Sequence, residues 1–373
     1  MRRRFPLLCV LLVSIAADPS AARGAARFAV TNLVTDDQAA NPAQITDTHL
    51  VNAWGISYSG GGPFWVSANG TGVSTVYRVE PGTGQVTNLQ LVVSIPGDGS
   101  VTGQASPFGS ESFVFASEDG TVSGWATGVA ASVLQAASPS NVYKGAAVAA
   151  IDTDTYLYLA NFRAGTIDVI KANAASPDLG GDFADPDLPD GYAPFNVANL
   201  GDSLYVTYAV QDQDKMNDVA GAGHGIVDEF DFQGHLVRRF ATGGTLDSPW
   251  GLAIAPASFE GYAGDLLVGN FVEGTLNAFE LATGSFVGQL ADTNGDPVAI
   301  DGLWALIPGN DGLGGSSSAL YFAAGPAAES HGLFGVIEPA PEPARTPLEL
   351  AAMASLVGLC RRGARGAQRN RTS

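Results

Sequence analysis

Four histidines stand in this chain of 373 residues: His49, His224, His235 and His331. His331 lies two residues after Glu329 in AAESHGLF (327–334), a spacing that can supply an acid–base pair or two donors to a metal. His224 directly precedes Gly225 as His331 precedes Gly332, so Glu329, His331 and His224 form the candidate catalytic set. Asp292, Asn294 and Asp296 in DTNGDP (292–297) have the alternate oxygen spacing with which a calcium loop begins. Pro297 stands where glycine should follow, however, and Leu303 where a bidentate glutamate is needed.

A second group is aromatic. Aligning NAWGIS (52–57), APFNVANL (193–200), SPWGLAIAP (248–256) and DGLWALIPG (301–309) puts Trp54, Phe195, Trp250 and Trp304 at one position. Rings there can form a collar at a channel mouth that stacks on sugars, or can wedge between neighbouring modules. Asn52, Asn196, Asp247 and Asp301 flank them, and Asn69, Asn161 and Asn270 recur after a later strand. Such residues close turns with their own side chains, or converge their oxygens on a hard cation such as calcium, with Asn196 a candidate ligand.

These residues are positioned by a repeat. An apolar β-rich run, a small-residue elbow and a glycine-led second strand recur six times, most clearly in LYLANFRAGTIDVI (157–170) and LLVGNFVEGTLNAF (266–279). The elbow glycines are Gly72, Gly120, Gly165, Gly225, Gly274 and Gly332, at intervals of 48, 45, 60, 49 and 58 residues. A period near fifty residues of strand and turn chemistry predicts an all-β, six-bladed β-propeller of four-stranded antiparallel blades. The long intervals hold insertions at 211–224 and 308–318, expected to share one binding face. The run ARFAVTNLVTD (26–36) belongs to no repeat and is predicted to close the ring as the outer strand of the sixth blade, because an open edge invites pairing with other chains.

The ends differ in composition. Arg2 to Arg4, then an apolar run at 5–17 and small residues, read as a secretory signal peptide over 1–22. Residues 23–339 form the propeller. Residues 340–373 hold Pro-Glu-Pro, a short apolar run and a basic end. The formal charge is −19; with +2 in 1–22 and +5 in 344–373, residues 23–343 carry −26. That acidity excludes nucleic acid as a partner and favours cations or basic ligands. Cys9 and Cys360, the two cysteines, both lie in the end segments. There is no Gly-x-Ser-x-Gly elbow, HExxH, CxxCH, phosphate loop or dinucleotide fingerprint.

SPWGLAIAP and DLLVGNFVEGTLNAFEL resemble NHL-type blades. LVNAWGIS, GPFWVSANGTGVSTVY, IDGLWALIPGN, ALYFAAG and ESHGLFGVIEP resemble a family of secreted bacterial propellers that often bear a PEP-CTERM sorting signal, which the end of this chain is similar to. The resemblance implies a fold and a destination: secretion, transient membrane association through the tail, cleavage by an exosortase-type protease, and residence at the cell surface or in the extracellular matrix. Two functions follow. One is a non-catalytic module, needing no cofactor, that binds an extracellular glycan, peptide or protein through Trp54, Phe195, Trp250, Asp301 and Trp304. The other is a metal-dependent lactonase or lyase, with Asp301, Asn196, Glu329, His224 and His331 as ligands or acid–base groups and calcium as the metal.

Overall fold

The computed structural model describes residues 26–341. The expected signal peptide, both cysteines and nearly all of the sorting tail lie outside them. The chain divides into one unit over 1–339 and a second over 340–373, and every strand of the described residues belongs to the first.

Strand β1 (Phe28–Thr35) and the short β2 (Ile45–Thr46) come before blade 1, which is β3 (Ala53–Ser57), β4 (Phe64–Ala68), β5 (Val73–Val79) and β6 (Val86–Ser94). Blade 2 is β7 (Val101–Ala105), β8 (Phe113–Ser117), β9 (Val122–Trp125) and β10 (Ser132–Gln135). Blade 3 has β11 (Tyr143–Ile151), β12 (Asp154–Asn161) and β13 (Thr166–Lys171). Blade 4 is β14 (Tyr192–Leu200), β15 (Ser203–Val210), β16 (Ile226–Phe230) and β17 (Leu236–Thr242), and blade 5 is β18 (Pro249–Ile254), β19 (Leu266–Asn270), β20 (Leu276–Phe279) and β21 (Phe286–Gln289). Blade 6 joins β22 (Leu303–Pro308), β23 (Leu320–Ala324) and β24 (Leu333–Pro339) to β1 and β2. The described residues contain no helix.

The protein is a six-bladed β-propeller closed by its N-terminal strand. β1 pairs antiparallel with β24 from Phe28↔Pro339 to Thr35↔Leu333. Phe28 seals the join from its other end, packing 4.7 Å from Phe259 and 6.0 Å from Tyr262 of blade 5. Blade 3 departs from the pattern in having three strands. No fourth strand pairs with β13, and in the segment that follows it, 172–191, Pro177, Pro186 and Pro189 remove ladder donors.

A separate hydrophobic cluster fills each blade interface, and the cluster between blades 6 and 1 is continuous with the axis. All six inner strands share one irregularity. Their pairing with the second strand shifts register between Ala53 and Ile56, Val101 and Gln104, Tyr143 and Gly145, Pro194 and Asn196, Pro249 and Gly251, and Leu303 and Leu306. Each shift is a bulge, which bends the strand and re-aims the residue inside it. Those residues are Trp54, Thr102, Lys144, Phe195, Trp250 and Trp304. The next residue is glycine in four blades because the neighbouring strand crowds it: a Cβ on Gly55 would sit 2.6 Å from Thr102 O, and one on Gly251 2.6 Å from Trp304 O.

The elbow glycines are of two kinds, and one expectation, about the insertions, is corrected here. The elbow glycines of blades 1, 2, 3 and 5 have positive φ, whereas Gly225 and Gly332 do not. In those blades glycine is required by close approach, a Cβ on Gly225 standing 2.6 Å from that of Leu246. The insertions also lie on opposite faces. The 211–224 loop joins the second and third strands of blade 4 and the 308–318 loop joins the first and second of blade 6, and antiparallel strands put these turns at opposite ends.

A buried charge cluster ties segment 172–191 to blade 4. Arg239 bonds Asp185 and holds its Nε 3.7 Å from Asp228, which is fully buried. Burial first, and then the charge of Asp185, push Asp228 up to about 7 despite Arg239. The folded state therefore retains a proton that the unfolded chain loses near the ordinary carboxylate range, so this stabilisation is complete below about pH 4 and is lost as pH rises through 7. Asp228→Asn is expected to be more stable than the parent at pH 8 by roughly 2–4 kcal/mol, the gap closing toward pH 4. Urea unfolding across that range measures it, and a pH-independent gap contradicts the assignment.

Candidate functional site

Where inner strands begin, on the face we call upper, a polar network crosses four blades. The Trp304 indole N–H donates to Asn52 Oδ1 at 3.2 Å. Asn52 Nδ2 donates to Asn69 Oδ1 (3.2 Å) and Glu329 Oε1 (3.1 Å), and Asn69 Nδ2 donates to Glu118 Oε2 (3.4 Å). Glu118 receives the Lys144 ammonium. Lys144 occupies in blade 3 the bulge position that is aromatic in four others, and its side chain is 3% exposed. Its Nζ lies 5.2 Å from the Trp54 ring centroid and 6.0 Å from that of Phe162, a cation over π-faces.

Two carboxyls near this cation, Glu329 and Asp218, are perturbed. Glu329 is pushed above its usual range by burial, against the pull of Asn52 and Lys144, with Glu118 and Asp218 adding to the rise. Asp218, delivered by the 211–224 insertion, is raised by burial against the opposing pull of Ser248 and the charge of Lys144. Glu118 opens into a surface cavity of about 360 Å3 with Asp98, Asp119 and Arg163 on its walls. Arg163 donates to the carbonyls of Pro139 and Asp214.

Below this network the axis is filled. Trp54 stacks on Trp304 at 3.7 Å and meets Trp250 edge-on at 6.5 Å. Phe195 lies 5.9 Å from Trp304, which also stacks on Phe271 at 3.7 Å. The four predicted aromatics are at most 5% exposed. They form a plug made by blades 1, 4, 5 and 6 together, so of the two arrangements open from the sequence the open collar is not found: the rings pack on one another as filling between blades, across the axis. Beneath the plug is a cavity of about 310 Å3 lined by all six inner strands, from Gly55 to Tyr58 in blade 1 round to Ala305 to Pro308 in blade 6.

The predicted catalytic and metal residues are dispersed. Glu329 is at the upper mouth. It sits in a run, Ala327 to Glu329, with φ of 55°, 52° and 65°, conformations costly to non-glycine residues. Asp301 supports that run by accepting from Ala327 N at 2.8 Å. His331 pairs instead with Asp36 at 3.0 Å, and Asp36 also accepts from Gly332 N, which pins the closing strand. His224 faces the Val219 carbonyl at 3.0 Å. The two histidines are nonetheless equivalent: their carbonyls receive Asn52 N and Ser248 N. Asn196 lines the lower cavity and donates to Trp250 O at 2.6 Å, joining blades 4 and 5. Asp292 Oδ1 accepts from the N–H groups of Asn294, Gly295 and Asp296, which is turn chemistry. Among the described residues no group of three or more His, Cys, Asp or Glu is placed to hold a metal ion.

Sequence reasoning passed over Glu118, Lys144 and Asp218. The available signal was Lys144, one of three lysines in the chain, inside an inner strand of an acidic domain.

No family model matches the chain. It is 33% identical over 290 residues to Uncharacterized protein R648 of Acanthamoeba polyphaga mimivirus, covering 72% of this chain and 71% of that protein. It is 34% identical over 200 residues to Uncharacterized protein L690 of the same virus, covering 52% and 51%. The chain belongs to the family of R648, and these viral relatives are uncharacterised. A solved Bacteroides thetaiotaomicron protein of unknown function aligns with a TM-score of 0.47 at 14% identity over 78% of this chain and 70% of its own. Virginiamycin B lyase from Staphylococcus aureus aligns with a TM-score of 0.43 at 11% identity over 86% and 90%.

Lys144→Met strands Glu118 beside the apolar plug. It is expected to lower stability by about 3 kcal/mol, with Lys144→Met/Glu118→Gln recovering most of that, as read by denaturant unfolding. A double variant no better than the single one contradicts the pairing.

Proposed function

We propose that this protein is a non-catalytic binding propeller whose upper mouth receives a cationic group carried by an extracellular glycan, peptide or protein. The observation that carries this reading is the set of three carboxyls, Glu118, Asp218 and Glu329, set against one ammonium on a closed aromatic floor. The charge of −26 over residues 23–343 adds long-range attraction for such a ligand. The histidines favour binding over catalysis, because His331 fastens the closing strand and His224 its own loop. The reading needs no cofactor. Residence at a cell surface or in extracellular matrix, reached by secretion and exosortase-type processing, is part of the same proposal and rests on the composition of residues 1–22 and 340–373.

Calorimetric titration with a glucosamine tetramer and its N-acetylated counterpart tests the mouth, since the two differ in charge and little in shape. The charged tetramer is expected to bind and to lose at least fivefold in affinity with Glu329→Gln. Equal binding of the neutral tetramer, or indifference to Glu329→Gln and Asp218→Asn together, overturns the assignment.

A further inference from the structure

The perimeter of the ring has one odd strand. In four blades the outermost strand pairs with its neighbour through a register shift, as at Thr75/Tyr77 opposite β6 and Val133/Gln135 in β10, and likewise for β17 and β21. In blade 6 the two-residue β2 flanks β1, whose own pairing with β24 shifts at Asn32/Val34. In blade 3 the outermost strand is β13, and its six residues pair with β12 without any shift. Bulges twist an edge away from partners and are a regular protection against strand addition. β13 lacks that protection.

The hydrogen-bonding phase of this edge follows from one bond. Ala172 N donates to Thr155 O at 2.9 Å, which continues the β12–β13 ladder as a bonded pair. Bonded pairs alternate in antiparallel strands, so Ile170, Asp168 and Thr166 bond inward. Ile167, Val169 and Lys171 therefore turn their N–H and C=O groups outward. Among the described residues no backbone hydrogen bond from another segment meets them. The same three side chains, with Tyr156, Leu179 and Phe183, line a cavity of about 250 Å3. Asp178 and Asp182 are also on its wall, opposed by Lys171, which already pairs with Asp178 at 2.8 Å.

We propose that the edge of β13 is a strand-addition site for an extended, basic segment of another protein, which would supply the fourth strand of blade 3 and place an apolar side chain in the adjoining cavity. Main-chain bonds to Ile167, Val169 and Lys171 give the affinity and the cavity gives the selectivity. Charge selects the occupant. A second copy would set the acidic wall against its own image, with −26 over residues 23–343 on each side, whereas a basic strand is attracted. The inference rests on the perimeter and is independent of the upper mouth.

The probe is an eight-residue peptide of alternating lysine and valine, titrated into the full chain with amide hydrogen exchange as a second readout. Binding is expected, with slowed exchange at Ile167, Val169 and Lys171. Affinity is expected to fall at least tenfold in Val169→Pro, which removes an outward donor and no inward bond, its thermal midpoint reporting whether it folds. The same peptide N-methylated on alternate amides tests the main-chain bonds without altering the protein, and is expected to lose binding equally. The proposal is overturned if the methylated peptide or octalysine binds as well as the parent, or if the chain instead forms a dimer that Val169→Pro abolishes.

Discussion

A bulge in the same place on six inner strands decides what this molecule can be. Because each bulge turns one residue toward a common axis, six side chains compete for one column of space, and packing there must be as dense as in any core. Four of them are aromatic and meet across the ring. Thr102 withdraws, donating its hydroxyl to Tyr143 O at 2.8 Å. Lys144 alone brings a charge into the column, and burying a charge requires a partner. That requirement draws in Glu118, then the amides of Asn69 and Asn52, then Glu329. The polar mouth is thus a consequence of how the axis is filled.

The plug also separates the two faces chemically. A ligand at the upper mouth reaches Glu118, Asp218 and Glu329, and one in the lower cavity reaches Asn196. Of the five residues expected to form one enzymatic site, Asn196 therefore lies below the plug and Glu329 above it. The insertions follow the same division. The one in blade 4 delivers Asp218 upward, and the one in blade 6 packs on the lower turn of blade 1, where Asn310 donates to Gly60 O and Gly62 O.

Periodic features were legible in the chain: the blade count from the glycine spacing, the shared position of Trp54, Phe195, Trp250 and Trp304, and the closing role of the run before blade 1. These depend on local pattern repeated at a fixed interval. Other features depended on which residues meet across blades. Asp36 and His331 are 295 positions apart, and Glu118 and Lys144 belong to different repeats with no shared motif. The face of an insertion depends on whether an odd or even strand precedes it, which composition does not mark. Blade 3 was expected to have four strands like the rest, although three prolines and no apolar alternation fill 172–191.

How blade 3 survives that loss separates two kinds of interaction. The segment 172–191 packs Phe183, Leu179 and Leu188 into the cluster shared with blade 4, and Asp185 anchors it to Arg239. Apolar area is non-directional, so an irregular chain can cover the faces of β12 and β13 as a strand would. Ladder hydrogen bonds are directional and need an extended partner in register. A loop can therefore replace the hydrophobic share of a fourth strand while leaving its hydrogen bonds unmade, and blade 3 is closed on its faces and open along its edge.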